Sequence, residues 1–373
     1  MTHHPIPPHE PHYPDALPHG PARGRAAALN PANRFDPLRL HVLGDHLDRV
    51  ATEQSAPTQV RTERLVDQTR SIINHVDSPD LPFSWTLNPY RGCEHGCIYC
   101  YARPSHEMLG FSCGLDFETR IMVKEDAPEL LKRELARPRW RGEPIIMSGI
   151  TDPYQPQEAS LEVTRRCLEV MAECRQPVSI ITKNRLVTRD LDLLRELAEH
   201  RAVHVALSVT SLDATLAAKM EPRASRPADR LRAISELSAA GIPVTAMMAP
   251  IIPSITDHEI PAVLQAVAEA GATRASWVML RLPWQVKSLF LDWLQRHFPD
   301  RASRIENEIR RMRNGKLYDA AWGNRGRGEG ARAEQIAATF KVFAGRHRLD
   351  RAMPPLSSES FRRPPLDGQM DLF

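Results

Sequence analysis

Three cysteines, Cys93, Cys97 and Cys100, fall within eight residues in NPYRGCEHGCIYCYARP, residues 88–104. Thiolates are soft ligands, suited to iron–sulfur clusters, zinc or copper(I). The C-x3-C-x2-C loop supplies three of them, which on a four-iron cluster leaves one iron open to a chelating substrate or cofactor. A structural zinc loop is the rival reading, but it needs a fourth ligand. His95 lies inside the loop, and no second cysteine pair follows. Gly92 and Gly96 would let the backbone fold closely around such a group and offer amide donors to its sulfurs. Cys167 and Cys174, at i and i+7 on an expected helix, read as buried structural thiols.

The loop follows the first of six candidate strands: Trp85–Asn88, Pro144–Ser148, Val178–Thr182, His204–Val209, Pro243–Ala249 and Ala275–Leu282. Amphipathic stretches alternate with them: Ala127–Ala136, Glu162–Cys174, Thr188–His200, Arg226–Ala240 and Ile260–Ala270. That alternation predicts an α/β fold of parallel βαβ units, either an open doubly wound sheet or a full or partial barrel. In a barrel, functional side chains gather where strands end. Residues 1–60, rich in His, Pro, Ala and Arg, read as a mostly disordered leader, with a short helix suggested by Leu38, Leu40, Leu43 and Leu47. The barrel is expected over 61–285 and a basic helical extension over 286–352. A disordered Pro/Ser-rich tail is expected over 353–373.

Several side chains stand at candidate strand ends. Thr151 and Asp152 lie in SGITDPYQPQE, a turn after the second strand; Lys183 ends the third. Ser208 and Thr210, two apart, share a face of the fourth. Arg223 in Glu221-Pro222-Arg223 can pair bidentately with a carboxylate, or simply anchor a loop. Arg281 stands at the end of the sixth strand and either faces the site mouth, where it would meet an anionic substrate, or is a surface charge.

The cysteine loop, with Tyr99 just before its third Cys, resembles the signature of the radical S-adenosylmethionine (radical SAM) superfamily. RGCEHGCIYCYAR, SGITDPYQPQE, TKN at 182–184 and EPR at 221–223 together resemble its spore-photoproduct-lyase-like branch, often labelled DNA repair photolyases, over roughly residues 84–283. The resemblance implies a partial (β/α)6 TIM-like barrel. It also implies a 4Fe–4S cluster on Cys93, Cys97 and Cys100 that reductively cleaves S-adenosylmethionine to a 5′-deoxyadenosyl radical. Tyr99 would pack near the adenine. Ser148 and Gly149 stand where the superfamily carries a Gly-Gly-Glu element for the methionine amine, with Thr151 and Asp152 beside them. Lys183, Ser208, Thr210 and Arg223 would serve the ribose and carboxylate. Cys113 is a candidate hydrogen-atom donor, although it lies closer to the cluster loop than the donor of spore photoproduct lyase does. A flavodoxin or ferredoxin would deliver the electron.

Composition narrows the setting. The 373 residues are 42% hydrophobic and carry a formal charge of +3, too weak alone to argue for nucleic acid. No apolar run suits a membrane span, and the N-terminus lacks a secretory pattern, so a cytoplasmic protein is expected. The chain ends in Gln369-Met370-Asp371-Leu372-Phe373, which resembles the bacterial sliding-clamp-binding peptide, with Gln369, Leu372 and Phe373 as its anchors. The combined expectation is a radical SAM enzyme acting on nucleic acid, most naturally DNA. A radical enzyme for a protein, RNA or small molecule, or a zinc-binding clamp adaptor, is the alternative.

Overall fold

The computed structural model describes residues 17–18, 22–35, 60–81 and 83–365. The suggested helix around Leu38–Leu47 and the terminal Gln369–Phe373 lie outside these residues. Ten strands suffice to describe the framework: β1 Glu63–Val66, β2 Ile73–His75, β3 Trp85–Leu87, β4 Tyr90–Arg91, β5 Arg120–Val123, β6 Ile145–Met147, β7 Val178–Thr182, β8 Val203–Ser208, β9 Val244–Ile251 and β10 Arg274–Met279. The main sheet has the order β10-β9-β8-β7-β6-β3-β2. Its six strands from β3 to β10 are parallel, and β2 adds an antiparallel edge. All six expected barrel strands are present. A second, three-stranded sheet, β1-β5-β4, ends two residues before Cys93 and steadies the entry to the cysteine loop.

Besides one short turn of helix at Glu158–Leu161, the helices are α1 Leu115–Thr119, α2 Ala127–Leu135, α3 Val163–Cys174, α4 Leu191–Glu199, α5 Ala214–Met220, α6 Pro227–Ala239, α7 Ile260–Glu269, α8 Val286–His297, α9 Ala302–Arg311 and α10 Ala331–Arg346. Proline stands in the first turn of α2, α6 and α7, where its missing N–H has no helical partner to lose. One face of the sheet (Val178, Ile180, Val205, Leu207, Val244, Ala246) is fully buried against helix residues such as Leu197, Leu237 and Val263. Each such Val, Ile or Leu side chain contributes about 1.5–3 kcal/mol by leaving water. In register on the other face stand Thr86, Ile146, Ser179, Ile181, Ala206 and Thr245, several of them only partly buried. The outer layer is therefore dry and packed, whereas the inner face mixes small and polar side chains with Ile146 and Ile181. No described helix is long and apolar enough to cross a membrane.

Two segments differ from the sequence expectation. Residues 22–35 fall inside the expected leader, yet Arg25, Ala26 and Ala27 are buried. Residues 353–365 fall in the expected disordered tail, yet they run beneath the barrel, past the starts of β6, β7 and β8. Ser357 N donates to Arg201 O and Arg362 N to Cys174 O, while the Phe361 ring covers Gly142. Gly142 adopts φ +78°, and a Cβ there would come within 2.7 Å of that ring. Low-complexity composition concealed both segments because their partners are distant in sequence. The extension divides as well. Ile336, Phe340 and Ala344 of α10 join the barrel core, with Phe340 6.0 Å from Trp277 of β10. Helices α8 and α9 instead enclose the cysteine loop through Phe290, Trp293, Ile305 and Ile309.

Candidate active site

The loop from Gly92 to Cys100 leaves β4 at the end of the barrel where the strands terminate. Gly92 and Gly96 adopt φ +77° and +67°. A Cβ on Gly92 would meet Phe117 O at 3.0 Å, and one on Gly96 would lie 2.7 Å from Glu118 Oε2, so both positions require glycine. Cys93 and Cys97 are buried and Cys100 is partly so; all three are free thiols. Burial pushes the Cys93 thiol well up, and Asp152, Cys97 and Cys100 add to the shift. Burial likewise raises Cys97, opposed by the Lys183 ammonium. Buried, close-set thiols of this kind become thiolates only when cationic metal compensates them. Among the described residues no three His, Cys, Asp or Glu side chains close on a single point as one-ion ligands. The donor set, three soft thiols within one nine-residue loop, two of them buried, fits the chemistry of an iron–sulfur cluster.

The other residues expected at the site lie around this loop, but several are already occupied by protein groups. Thr151 donates to Gly92 O at 2.6 Å and Ser148 to Thr151 O at 3.2 Å. Gly149 has φ +130°, with Asn88 beside it. Asp152 accepts from Thr182 Oγ1 at 2.7 Å, Lys183 N at 2.8 Å and Tyr154 N at 2.9 Å, and pairs with His95 Nδ1 at 3.2 Å. Burial raises its pKa, but His95 and these hydrogen bonds outweigh that and hold it below the usual carboxylate range. Thr151 and Asp152 therefore shape the site by holding the cysteine loop and the end of β7 together.

A second network stands on the other side. The Tyr99 hydroxyl donates to Glu221, and Thr210 donates to Glu221 Oε1 at 2.6 Å. Arg230, fully buried on α6, pairs with Glu221 and donates to Ser208 O at 3.1 Å. Lys183 Nζ lies 5.9 Å from the Tyr99 ring centroid. Arg223 pairs with Glu94 at 3.3 Å, leaving part of its guanidinium exposed. Cys113 is fully buried in the same apolar cluster as Cys97, Ile98 and Tyr99, and burial pushes its thiol up to about 12. Cys167 and Cys174 are buried in the barrel core.

Four residues around the loop escaped the sequence reading. Gln155 accepts from Glu94 N and donates to Thr151. Arg230 organises the Tyr99–Glu221–Thr210 set. Arg103 is fully buried, and Glu118 pairs with it at 2.5 Å. Arg103 sits in the CYARP segment beside the cysteines and Gln155 in SGITDPYQPQE, positional cues both; for Arg230 and Glu118 no local signal exists, because burial of charge is a tertiary property.

The Radical SAM superfamily model matches residues 87–267, which run from the last residue of β3 through the cysteine loop and the strands β4 to β9. Uncharacterized protein Rv2578c of Mycobacterium tuberculosis (strain H37Rv) is 38% identical over 245 residues, covering 65% of this chain and 72% of that protein. Uncharacterized protein MJ0683 of Methanocaldococcus jannaschii is 31% identical over 175 residues, 47% of this chain and 63% of its own. Among solved structures, spore photoproduct lyase with bound AdoMet and dinucleoside spore photoproduct superposes with a TM-score of 0.52 at 15% identity. The match covers 82% of this chain and 92% of that one. The chain belongs to the radical SAM superfamily. It uses a 4Fe–4S cluster and S-adenosylmethionine, and it shares the fold of spore photoproduct lyase.

Proposed function

We propose that the protein is a radical SAM enzyme acting on nucleic acid, in repair or base modification, with its cluster held by Cys93, Cys97 and Cys100. Bound there, the cluster and S-adenosylmethionine supply one-electron chemistry able to break an unactivated C–H or C–C bond. Tyr99, kept in place by Glu221, and Lys183 form one wall of the cofactor site. Ser148, Gly149, Ser208, Thr210 and Arg223 line its approach. A flavodoxin or ferredoxin serves as the electron donor.

The nucleic-acid reading is carried by the site mouth. Tyr101, directly after Cys100, is 49% exposed, and the Arg281 guanidinium lies 4.8 Å from its ring. Among the described residues Arg281 has no acidic partner, and its Nε is buried without a hydrogen bond. Arg325 lies close enough to act on the same phenol and stacks on the exposed Trp322 at 3.9 Å. An unpaired guanidinium amid exposed rings suits a polyanion whose bases can stack, because phosphate meets the charge and any base meets a ring. Clamp docking through Gln369, Leu372 and Phe373 belongs to the same proposal.

The test is to incubate the anaerobically reconstituted enzyme, with dithionite, on DNA, RNA and peptide pools deuterated in turn. Label is expected in 5′-deoxyadenosine or recovered cofactor from a nucleic-acid pool. Label drawn from the peptide pool alone would reject the substrate class and leave the radical chemistry standing.

A further inference from the structure

We propose that residues 22–35 form a strap that sets the shape of the cysteine loop through Glu118 and Arg103, making these two the positioning residues of the iron–sulfur centre. The proposal rests on the assignment of the cluster to Cys93, Cys97 and Cys100. Arg103 reaches the loop's backbone from beneath: Nε donates to Cys97 O at 2.9 Å and Nη2 to Gly96 O at 3.0 Å. Its remaining donor, Nη1, binds Gly114 O at 2.8 Å and Cys113 O at 3.3 Å. A guanidinium with no exposed surface is tolerable only if its charge is matched and every donor is used. Glu118 supplies the match at 2.5 Å.

Glu118 is equally buried, and Arg103 alone does not satisfy its carboxylate. The strap does: Ala27 N donates to Oε1 at 3.0 Å and Ala26 N to Oε2 at 3.2 Å. Arg25, in turn, donates to Glu118 O at 2.6 Å. Further along, Asn30 exchanges hydrogen bonds with Asp116, and Asn33 donates to Glu107 O at 2.7 Å. A Cβ on Gly114 would fall 2.0 Å from Leu29 O, so strap and loop support touch backbone to backbone. The chain of contacts is therefore continuous from strap amide to carboxylate to guanidinium to the carbonyls between two candidate ligands. Without the strap, Glu118 loses its amide donors, and the pair that holds Gly96 and Cys97 is left partly unsatisfied in a dry site.

The experiment uses the full chain, reconstituted anaerobically, in four forms: wild type, Asn30→Ala/Asn33→Ala, Glu118→Gln and Cys97→Ala. The double variant loosens the strap without touching the loop. Its cluster absorbance should bleach in EDTA about fivefold faster than wild type, with increased deuterium uptake at residues 93–100 of the apoprotein. Glu118→Gln should do the same and also raise the cluster's midpoint potential, since losing a nearby negative charge favours the more negative reduced form. Wild-type bleaching rates and exchange in both the double variant and Glu118→Gln would overturn the proposal. A cluster retained in Cys97→Ala would instead overturn the ligand assignment on which it rests.

Discussion

Two segments near the ends of the chain read alike as sequence, and the fold uses them at opposite ends of the barrel. The strap, residues 22–35, packs at the mouth, where its amides and side chains reach a buried ion pair beneath the cysteine loop. The segment 353–365 packs at the floor, where it makes a few backbone hydrogen bonds and lays Phe361 over Gly142. The contacts at the mouth are charged, dry and continuous with the candidate ligands. Those at the floor are apolar, backbone-to-backbone or solvent-exposed charged contacts such as Arg201–Glu359, and they touch no candidate site residue. The two ends should therefore respond differently to damage: the mouth through the cluster, the floor through stability alone.

The largest effect expected is on the ligands themselves. Cys97→Ala should abolish formation of 5′-deoxyadenosine, measured by chromatography after reconstitution; persistent turnover would remove the site assignment. Next comes Arg103→Met, which keeps volume but strands Glu118 as a buried, unpaired charge. A cost of about 3–5 kcal/mol in denaturant unfolding is expected, together with substoichiometric iron. A stable variant with full iron content would show that the mouth is no more demanding than the floor.

A pH effect follows at the mouth. Burial lowers the pKa of His106, beside the cysteine loop, to about 4 from its ordinary 6.5, despite the opposing influence of Asp116. The native state then holds fewer protons than the unfolded chain between those values. Stability is fully present above about pH 6.5 and is lost as pH falls towards 4, by up to about 3 kcal/mol. Comparing urea midpoints of wild type and His106→Phe across that range should show the wild type declining more steeply; parallel curves would refute the assignment. The smallest effect belongs to the floor. Phe361→Ala should lower stability by about 2 kcal/mol while leaving the rate of 5′-deoxyadenosine formation at the wild-type value. A fall in that rate would erase the distinction between the ends.

The barrel was legible because its signals are local. Period-two runs such as Val178–Thr182 and the amphipathic stretch at Ile260–Glu269 announce strand and helix without reference to any distant residue. The cysteine loop was legible for the same reason, since spacing within eight residues carries the chemistry. Thr151, Asp152, Lys183, Ser208 and Thr210 were located correctly at strand ends, because strand order alone brings those ends to one face. What they bind there was not legible. Asp152 is committed to His95 and Thr182, 57 and 30 residues away in sequence, and Thr210 to Glu221.

The sequence by itself thus determined the superfamily, the order of the barrel's elements and the three candidate ligands. Tertiary structure alone decided which charges are buried and with whom. Arg103 looks like any loop arginine until it is found without solvent, and nothing local shows that Cys113 is wholly buried in the same cluster as Cys97 and Tyr99. Residues 22–35 look like a leader until two of their amides are found on Glu118. The physical reason is common to all three. Burial and pairing depend on which distant segments meet, and no local pattern of residue types encodes that meeting.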